Sequence, residues 1–129
     1  MPSGKEQEER SVKMEGFKNL LVWQRAYRFT LTIYKISKDF PKDELYGLTS
    51  RIRRASVSVA ANIAEGYERE YRKQFIHFLA IAKGSLGEVE AYLSLVKDLH
   101  YINEETYQEL NCQRQEVGRL LRGFINSIK

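Results

Sequence analysis

The chain has 129 residues, of which 43% are hydrophobic and 29% charged, and its net charge is +4. This composition is typical of one soluble globular domain, and no apolar run approaches the ~18 residues of a membrane-spanning helix. The single cysteine and the two histidines exclude an internal disulfide and argue against a zinc site built from clustered Cys and His side chains.

The first 16 residues are rich in charged side chains and poor in apolar ones. We therefore predict a disordered tail over residues 1–16 and one folded domain over residues 17–129. Because this start of the sequence lacks the apolar centre of a secretory signal, we expect a cytoplasmic protein.

A first helix is predicted over residues 17–38, ahead of Pro41, because apolar side chains recur there every three or four positions. Its core-facing stripe comprises Val22, Ala26, Phe29, Ile33 and Ile36. A second stripe beside it is aromatic and contains Trp23, Tyr27 and Tyr34. Two stripes exceed what one bundle core needs, so the aromatic stripe is interpreted as an oligomer interface, with a place in the core as the alternative.

A second helix is predicted over residues 43–66, with Gly66 as a left-handed C-terminal cap. Its packing stripe comprises Leu45, Leu48, Ile52, Ala55, Val59 and Asn62. Asn62 and Glu65 are interpreted as structural polar residues that fix helix register or cap a neighbouring turn, rather than as catalytic groups.

Arginines mark the other side of this second helix. Arg51, Arg54 and Ser58 follow one another at spacings of three and four, and Arg53 stands beside them. A helix that packs through its opposite side would hold these cations where solvent or an anionic partner is met.

The third and fourth helices are predicted over residues 71–99 and 103–128, with Asn103 as the N-cap of the fourth. Four glycines inside these helices each cost ~1 kcal/mol relative to alanine, so we expect them at sites of close helix approach. They are Gly84, Gly87, Gly118 and Gly123. Short connections make successive helices antiparallel, which predicts an all-α, up-down-up-down four-helix bundle.

Positive charge is concentrated in the first half of the predicted bundle. Residues 17–73 contain 12 Lys and Arg against 6 Asp and Glu, whereas residues 74–129 contain 6 against 7. This asymmetry predicts a surface that binds RNA or DNA without base specificity. The candidate residues are Arg25, Arg28, Arg51, Arg53, Arg54, Arg69, Arg72 and Lys73. In the alternative, the arginines form salt bridges between protomers of a protein-binding scaffold that contacts no nucleic acid.

Catalytic patterns are missing from the sequence. His77 lies near the start of the third predicted helix and His100 directly after its end, roughly 34 Å away along the helix axis, so they cannot act together within a protomer. No glycine-rich phosphate loop and no Glu-x-x-His metal motif occurs. We therefore expect no enzymatic activity, no cofactor and no metal ion.

Several short motifs resemble the four-helix-bundle proteins encoded in intervening sequences of bacterial 23S rRNA genes. The resemblance covers residues 17–128, nearly everything beyond the N-terminal tail. The motifs are Val-Trp-Gln at 22–24, Phe-Pro at 40–41, Ile-Arg-Arg-Ala at 52–55, Asn-Ile-Ala-Glu-Gly at 62–66 and Ala-x-Gly-Ser-Leu-x-Glu at 82–88.

This resemblance implies a small cytoplasmic bacterial protein that assembles into a homopentameric ring, in a family whose molecular role is not established. More distantly, the chain is similar to accessory proteins of diversity-generating retroelements, which are pentameric barrels that bind a reverse transcriptase and nucleic acid. This second likeness implies a binding role, with a protein such as a reverse transcriptase as a second kind of partner, and it implies no catalytic residue.

Overall fold

The computed structural model describes residues 16–129, which form a bundle of four α-helices. The helices are α1 (Leu21–Ser37), α2 (Leu48–Tyr67), α3 (Arg72–Asp98) and α4 (Glu104–Ile128). Each helix packs against the next one along the chain, and α4 closes the bundle against α1. The predicted all-α, up-down four-helix bundle is confirmed. Of the predicted tail, residues 1–15 lie outside this description, and Gly16 begins a 3₁₀ turn, Gly16–Asn19.

One apolar core runs through the bundle, because each helix turns an apolar stripe toward the centre. Its fully buried side chains include Phe29 of α1, Ile52 of α2, Leu93 of α3 and Leu121 of α4. Within residues 16–129, no helix is long and apolar enough to cross a membrane.

The start of α2 differs from the prediction. Residues Lys42–Glu44 form a 3₁₀ turn, and the α-helix begins only at Leu48, because the backbone at Gly47 is not helical. Glu44 then lies just ahead of the helix, where its Oε1 accepts a hydrogen bond from the backbone N–H of Leu48. Leu45 is consequently half exposed and does not belong to the packing stripe of α2.

Gly66 is not a left-handed cap, because it lies inside α2 without a positive φ. A Cβ atom at this position would lie 2.8 Å from the Cβ of Phe78 and 3.2 Å from the backbone oxygen of Phe75. Glycine is therefore required for α2 to approach the start of α3. A left-handed residue follows α3 instead, at His100 with φ 63°.

The ends of α3 and α4 are capped by local hydrogen bonds. After α3, the N–H of Tyr101 donates to the carbonyl of Val96 at 2.9 Å, which satisfies one of the helix's last carbonyls. At the start of α4, Oδ1 of Asn103 accepts from the backbone N–H of Thr106 at 2.7 Å, which confirms the predicted N-cap.

The glycines of α3 and α4 do not mark close helix contacts. A Cβ atom at Gly84, Gly87 or Gly123 would meet no other atom within 4 Å, so the prediction is wrong for these three. At Gly118 it would make an ordinary contact with Leu86. The most extensive helix contact in the described chain joins α2 to the middle of α3, as expected from the small residues there, and the hydroxyls of Ser58 and Ser85 are 2.8 Å apart in it.

Candidate nucleic-acid interface

A basic groove runs between α2 and α3, and we call it the arginine groove. It is lined by Arg51, Arg54, Ala55 and Ser58 of α2 and by Ser85, Glu88 and Tyr92 of α3, and it encloses about 200 Å³. Arg51 and Arg54 share this side of α2 because they are separated by three residues. The structure thus brings two of the predicted nucleic-acid-binding arginines together.

The guanidinium groups of Arg51 and Arg54 are exposed, and neither forms an ion pair with a carboxylate of residues 16–129. Glu88 lines the groove but forms no ion pair with either of them. Both positive charges are therefore available to an external anion.

A hydroxyl pair lies beside these arginines. Ser58 and Ser85 share a hydrogen bond of 2.8 Å, and the amide of Asn62 donates to the Ser58 hydroxyl at 2.9 Å and to its backbone carbonyl at 2.8 Å. The pair uses only one of its two hydroxyl hydrogens, so the other remains able to donate to a ligand oxygen. Asn62 therefore orients the hydroxyl pair from within α2.

Arg53 lies outside this groove, because a step of two residues turns a helix by roughly 200°. Its Nε donates to the hydroxyl of Ser37 at 2.7 Å, and its guanidinium lies over the ring of Tyr34, 4.9 Å from the centroid. It lines a different cavity, the Arg53 pocket, at the junction of α1 and α2. The wall of this pocket includes Lys38, Phe40, Pro41, Lys42, Leu45 and Arg53. The three predicted arginines thus do not form one cluster.

The other predicted cations differ in whether they are neutralised. Arg25 pairs with Glu116 of α4 at 2.7 Å, and Arg69 pairs with Glu65 in its own segment. Glu65 thus acts as an ion-pair partner. The remaining predicted cations are exposed and form no ion pair within the described part of the chain: Arg28, Arg72 and Lys73.

The aromatic stripe of α1 lies at the surface of the protomer. Tyr27 is 48% and Tyr34 is 40% exposed, and Trp23 is partly buried against the core. Trp23 stacks on Tyr27 with ring centroids 4.9 Å apart. The two tyrosines are therefore not core residues, which leaves the interface interpretation as a prediction.

Sequence reasoning missed a second groove that contains cations, between α3 and α4. It encloses about 370 Å³, and Lys83, Arg114 and Arg122 line it. Arg114 is only 14% exposed, and its guanidinium contacts Glu90 at 3.3 Å and Oδ1 of Asn111 at 2.9 Å. The net charge of residues 74–129, where acidic residues outnumber basic ones, gave no sign of this groove. The spacing of Arg114 and Arg122, which places them on one side of α4, was a usable signal.

Two pKa shifts occur at the turn between α3 and α4, away from the arginine groove. The hydroxyl of Tyr101 donates to Oε2 of Glu44 at 2.9 Å, and this hydrogen bond to a carboxylate raises the pKa of Tyr101. The pKa of Glu104 is lowered, first by the hydrogen bond from Gln108 and then by Lys97. Among residues 16–129, no group of three His, Cys, Asp or Glu side chains is arranged to hold a metal ion.

Comparison with known proteins identifies the family. A sequence model of the 23S rRNA-intervening sequence protein family matches residues 18–123. The chain belongs to this family. The sequence resemblance to the intervening-sequence bundles is thereby confirmed.

A solved structure from Bacteroides thetaiotaomicron is similar to this member of the 23S rRNA-intervening sequence protein family. It is described as a protein with unknown function from the S23 ribosomal protein family. The two chains are 28% identical, with a TM-score of 0.77, and the match covers 82% of this chain and 96% of the other. No curated protein matches the sequence.

Proposed function

We propose that this member of the family is a non-enzymatic, oligomeric protein that binds RNA or DNA through the phosphate backbone. The observation that carries the proposal is the arginine groove, where Arg51 and Arg54 have no carboxylate partner within residues 16–129 and lie beside the Ser58–Ser85 hydroxyl pair. Arginine and serine side chains are frequent donors to phosphate oxygens in protein–nucleic acid complexes.

The chemistry of the groove favours the backbone over the bases. Its positive groups are guanidiniums, which donate two parallel hydrogen bonds to a phosphate. The amide of Asn62, which could read a base edge, is engaged with Ser58. Binding is therefore expected to tolerate any sequence and to weaken steeply as salt rises, because each contact releases counterions.

Oligomerisation would multiply these contacts. The surface that carries Tyr27 and Tyr34 also exposes Leu31, which adds apolar area to α1. Exposed apolar patches of this kind are frequent at subunit interfaces. In a ring, with five protomers as the expected number, each protomer would contribute an arginine groove to one larger binding surface.

Light scattering tests the oligomer. We expect a mass well above the 15.1 kDa of one chain, and we expect Tyr27→Glu to lower it to that value with the helical content unchanged. A wild-type mass of one chain at micromolar concentration would contradict the ring. Unfolding of Tyr27→Glu would instead show that the stripe supports the protomer fold.

A charge-matched pair of variants tests the nucleic-acid contact. Arg51→Gln/Arg54→Gln removes two unpaired cations, whereas Arg25→Gln/Arg69→Gln removes two cations that are paired with Glu116 and Glu65. In fluorescence anisotropy with a 20-nucleotide RNA or DNA at ~100 mM salt, the first variant should bind about tenfold more weakly, and the control should bind almost as well as wild type.

The results separate two functions. Equal losses in the two variants would mean that only net charge matters and that the groove is not the contact. If the wild-type protein binds neither RNA nor DNA at low salt, the protein is a scaffold for a protein partner such as a reverse transcriptase, and the exposed arginines contact acidic protein surfaces.

A further inference from the structure

The Arg53 pocket is a second concave site, formed where α1 ends and the chain turns into α2. It encloses about 400 Å³, which is within the range of pockets that bind small molecules. Its apolar wall consists of Phe40, Pro41 and Leu45. Neither Arg51 nor Arg54 lines it, so it is separate from the arginine groove.

Three cations surround this apolar wall: Arg53, Lys38 and Lys42. None of them forms an ion pair with a carboxylate of the residues that the structure describes. Glu44, which is close in sequence, is occupied by the N–H of Leu48 and the hydroxyl of Tyr101. The side chains that line the pocket therefore include three cations and no carboxylate, which favours an anionic ligand.

Arg53 is held in position before any ligand arrives. Ser37 accepts a hydrogen bond from its Nε, and the ring of Tyr34 lies 4.9 Å from its guanidinium carbon. These two contacts leave the terminal N–H groups of the guanidinium without a partner in residues 16–129. An anion that enters the pocket would bind an arginine whose orientation is already set, which reduces the entropy lost on binding.

One polar side chain of the pocket lacks a partner within the described chain. Thr49 lines the pocket and is 3% exposed, yet its hydroxyl has no hydrogen-bond partner there. Buried hydroxyls without a partner are rare in folded proteins.

We propose that the Arg53 pocket binds a single nucleotide. The phosphate would contact Arg53 and the two lysines. The flat face of the base would lie against Phe40 and Leu45, and the Thr49 hydroxyl would form a hydrogen bond with the polar edge of the base. The ligand is either a free mononucleotide or the 5′-phosphorylated end of a single strand, since both present a base and a terminal phosphate. The second source rests on the proposed binding of nucleic acid.

Isothermal titration calorimetry of the full-length protein tests this assignment. Among the probes, AMP presents both the base and the phosphate. Ribose 5-phosphate lacks the base, adenosine lacks the phosphate, and octanoate is an unrelated apolar anion. AMP should saturate one site per chain at ~1 mM or below, and each of the other three should bind about tenfold more weakly.

Variants locate the site. Arg53→Gln should weaken AMP binding about tenfold, through the loss of a charge-assisted contact, and Lys38→Gln/Lys42→Gln should weaken it several-fold. The lysine variant alters only exposed side chains, so it carries the test if Arg53→Gln does not fold. Arg51→Gln/Arg54→Gln should bind AMP as wild type does.

Three results would overturn the assignment: no saturable AMP binding, ribose 5-phosphate or octanoate binding as tightly as AMP, or unchanged AMP affinity in both pocket variants. A 5′-phosphorylated trinucleotide that binds with the same dependence on Arg53 supports the strand end as ligand, and AMP binding alone supports the free nucleotide. If AMP does not bind but RNA binding depends on Arg51 and Arg54, the assignment of the pocket is wrong and the proposed function is unaffected.

Discussion

The arginine groove and the groove between α3 and α4 have similar components but differ in the state of their arginines. In the first, Arg51 and Arg54 have no carboxylate partner in the described chain. In the second, Arg114 is largely buried and held by Glu90 and Asn111, and of its two arginines Arg122 alone has no carboxylate partner in the described chain. The comparison shows that the number of cations along a sequence does not measure the charge available for binding, because partners on neighbouring helices neutralise some of them.

Helix spacing distinguishes the two grooves as well. The pair α2 and α3 packs more extensively than α3 and α4, and glycine has a different role in each pair. Gly66 of α2 faces Phe78 and Phe75 so closely that no side chain fits, whereas Gly87 of α3 faces open space. The close contact at Gly66 joins α2 to the start of α3. The groove between α3 and α4 is open beside Gly87.

The largest effect is expected from Gly66→Ala. The new methyl group would lie 2.8 Å from the Cβ of Phe78 and 2.9 Å from a ring carbon of Phe75, so α2 and α3 must move apart. Urea unfolding should show a loss of stability of ~1–3 kcal/mol, the usual cost of overpacking. An unchanged stability would mean that the contact between α2 and α3 is not tight.

A smaller effect is expected from the hydroxyl pair of Ser58 and Ser85. A double-mutant cycle with Ser58→Ala and Ser85→Ala should give a coupling of ~1 kcal/mol, as for a typical intramolecular hydrogen bond. The same cycle for Arg114→Gln and Glu90→Gln should give less, because the Glu90 carboxylate is mostly exposed to solvent. Equal couplings would contradict the difference between the two grooves.

Gly87→Ala should stabilise the protein, in contrast to the preceding variants. Because the new Cβ would meet no other atom within 4 Å, the substitution costs no packing and favours the helix. The free energy of unfolding should rise by ~0.5–1 kcal/mol, and Gly84→Ala, another site with open space, serves as the matched variant. A loss of stability in both would indicate contacts that arise only between protomers.

The smallest effects concern pH and two contacts near the end of α3. Tyr101, in the turn after α3, contacts Glu44 ahead of α2, and Lys97 of α3 pairs with Glu104 at the start of α4. The raised pKa of Tyr101 means that its contribution is complete below about pH 10 and is lost as pH rises through the higher, folded-state pKa. Wild type should therefore lose its stability advantage over Tyr101→Phe as the pH rises above ~10, measured by urea unfolding.

Acid affects the contact with α4 instead. The lowered pKa of Glu104 means that its contribution is present above about pH 4.3 and is lost as pH falls through the lower value. The stability difference between wild type and Glu104→Gln should shrink below ~pH 4. The assignment of the two contacts would be wrong if the stability difference for Glu104→Gln disappeared at alkaline pH. It would also be wrong if the difference for Tyr101→Phe disappeared at acid pH.

The helices and their order were predictable, because apolar residues recur with the helical period in all four and Asn103 provides a local start signal. The start of α2 was not predictable, because Leu45 continues the apolar period although it lies in the turn before the helix. The non-helical backbone at Gly47 separates this turn from α2. Gly66 was misassigned for a related reason. A glycine near a helix end has the same local pattern whether it caps the helix or allows a neighbour to approach.

Only part of the candidate interface could be predicted. Adjacency in sequence grouped Arg53 with Arg51 and Arg54, although helical geometry places it on another side of α2. Neutralisation was also hidden, because the partner of Arg25 is Glu116 on the last helix. Such contacts depend on which helices become neighbours, and local sequence does not contain that information.

The order of packing has a consequence for folding kinetics. Among the four helices, successive ones contact one another, and the contact between α1 and α4 joins the two that are not consecutive. Low contact order of this kind is typical of domains that fold in microseconds to milliseconds. We expect the helical hairpins to form first and the contact of Arg25 with Glu116 to form after the rate-limiting step. In stopped-flow experiments, Glu116→Gln should then accelerate unfolding and leave the folding rate unchanged.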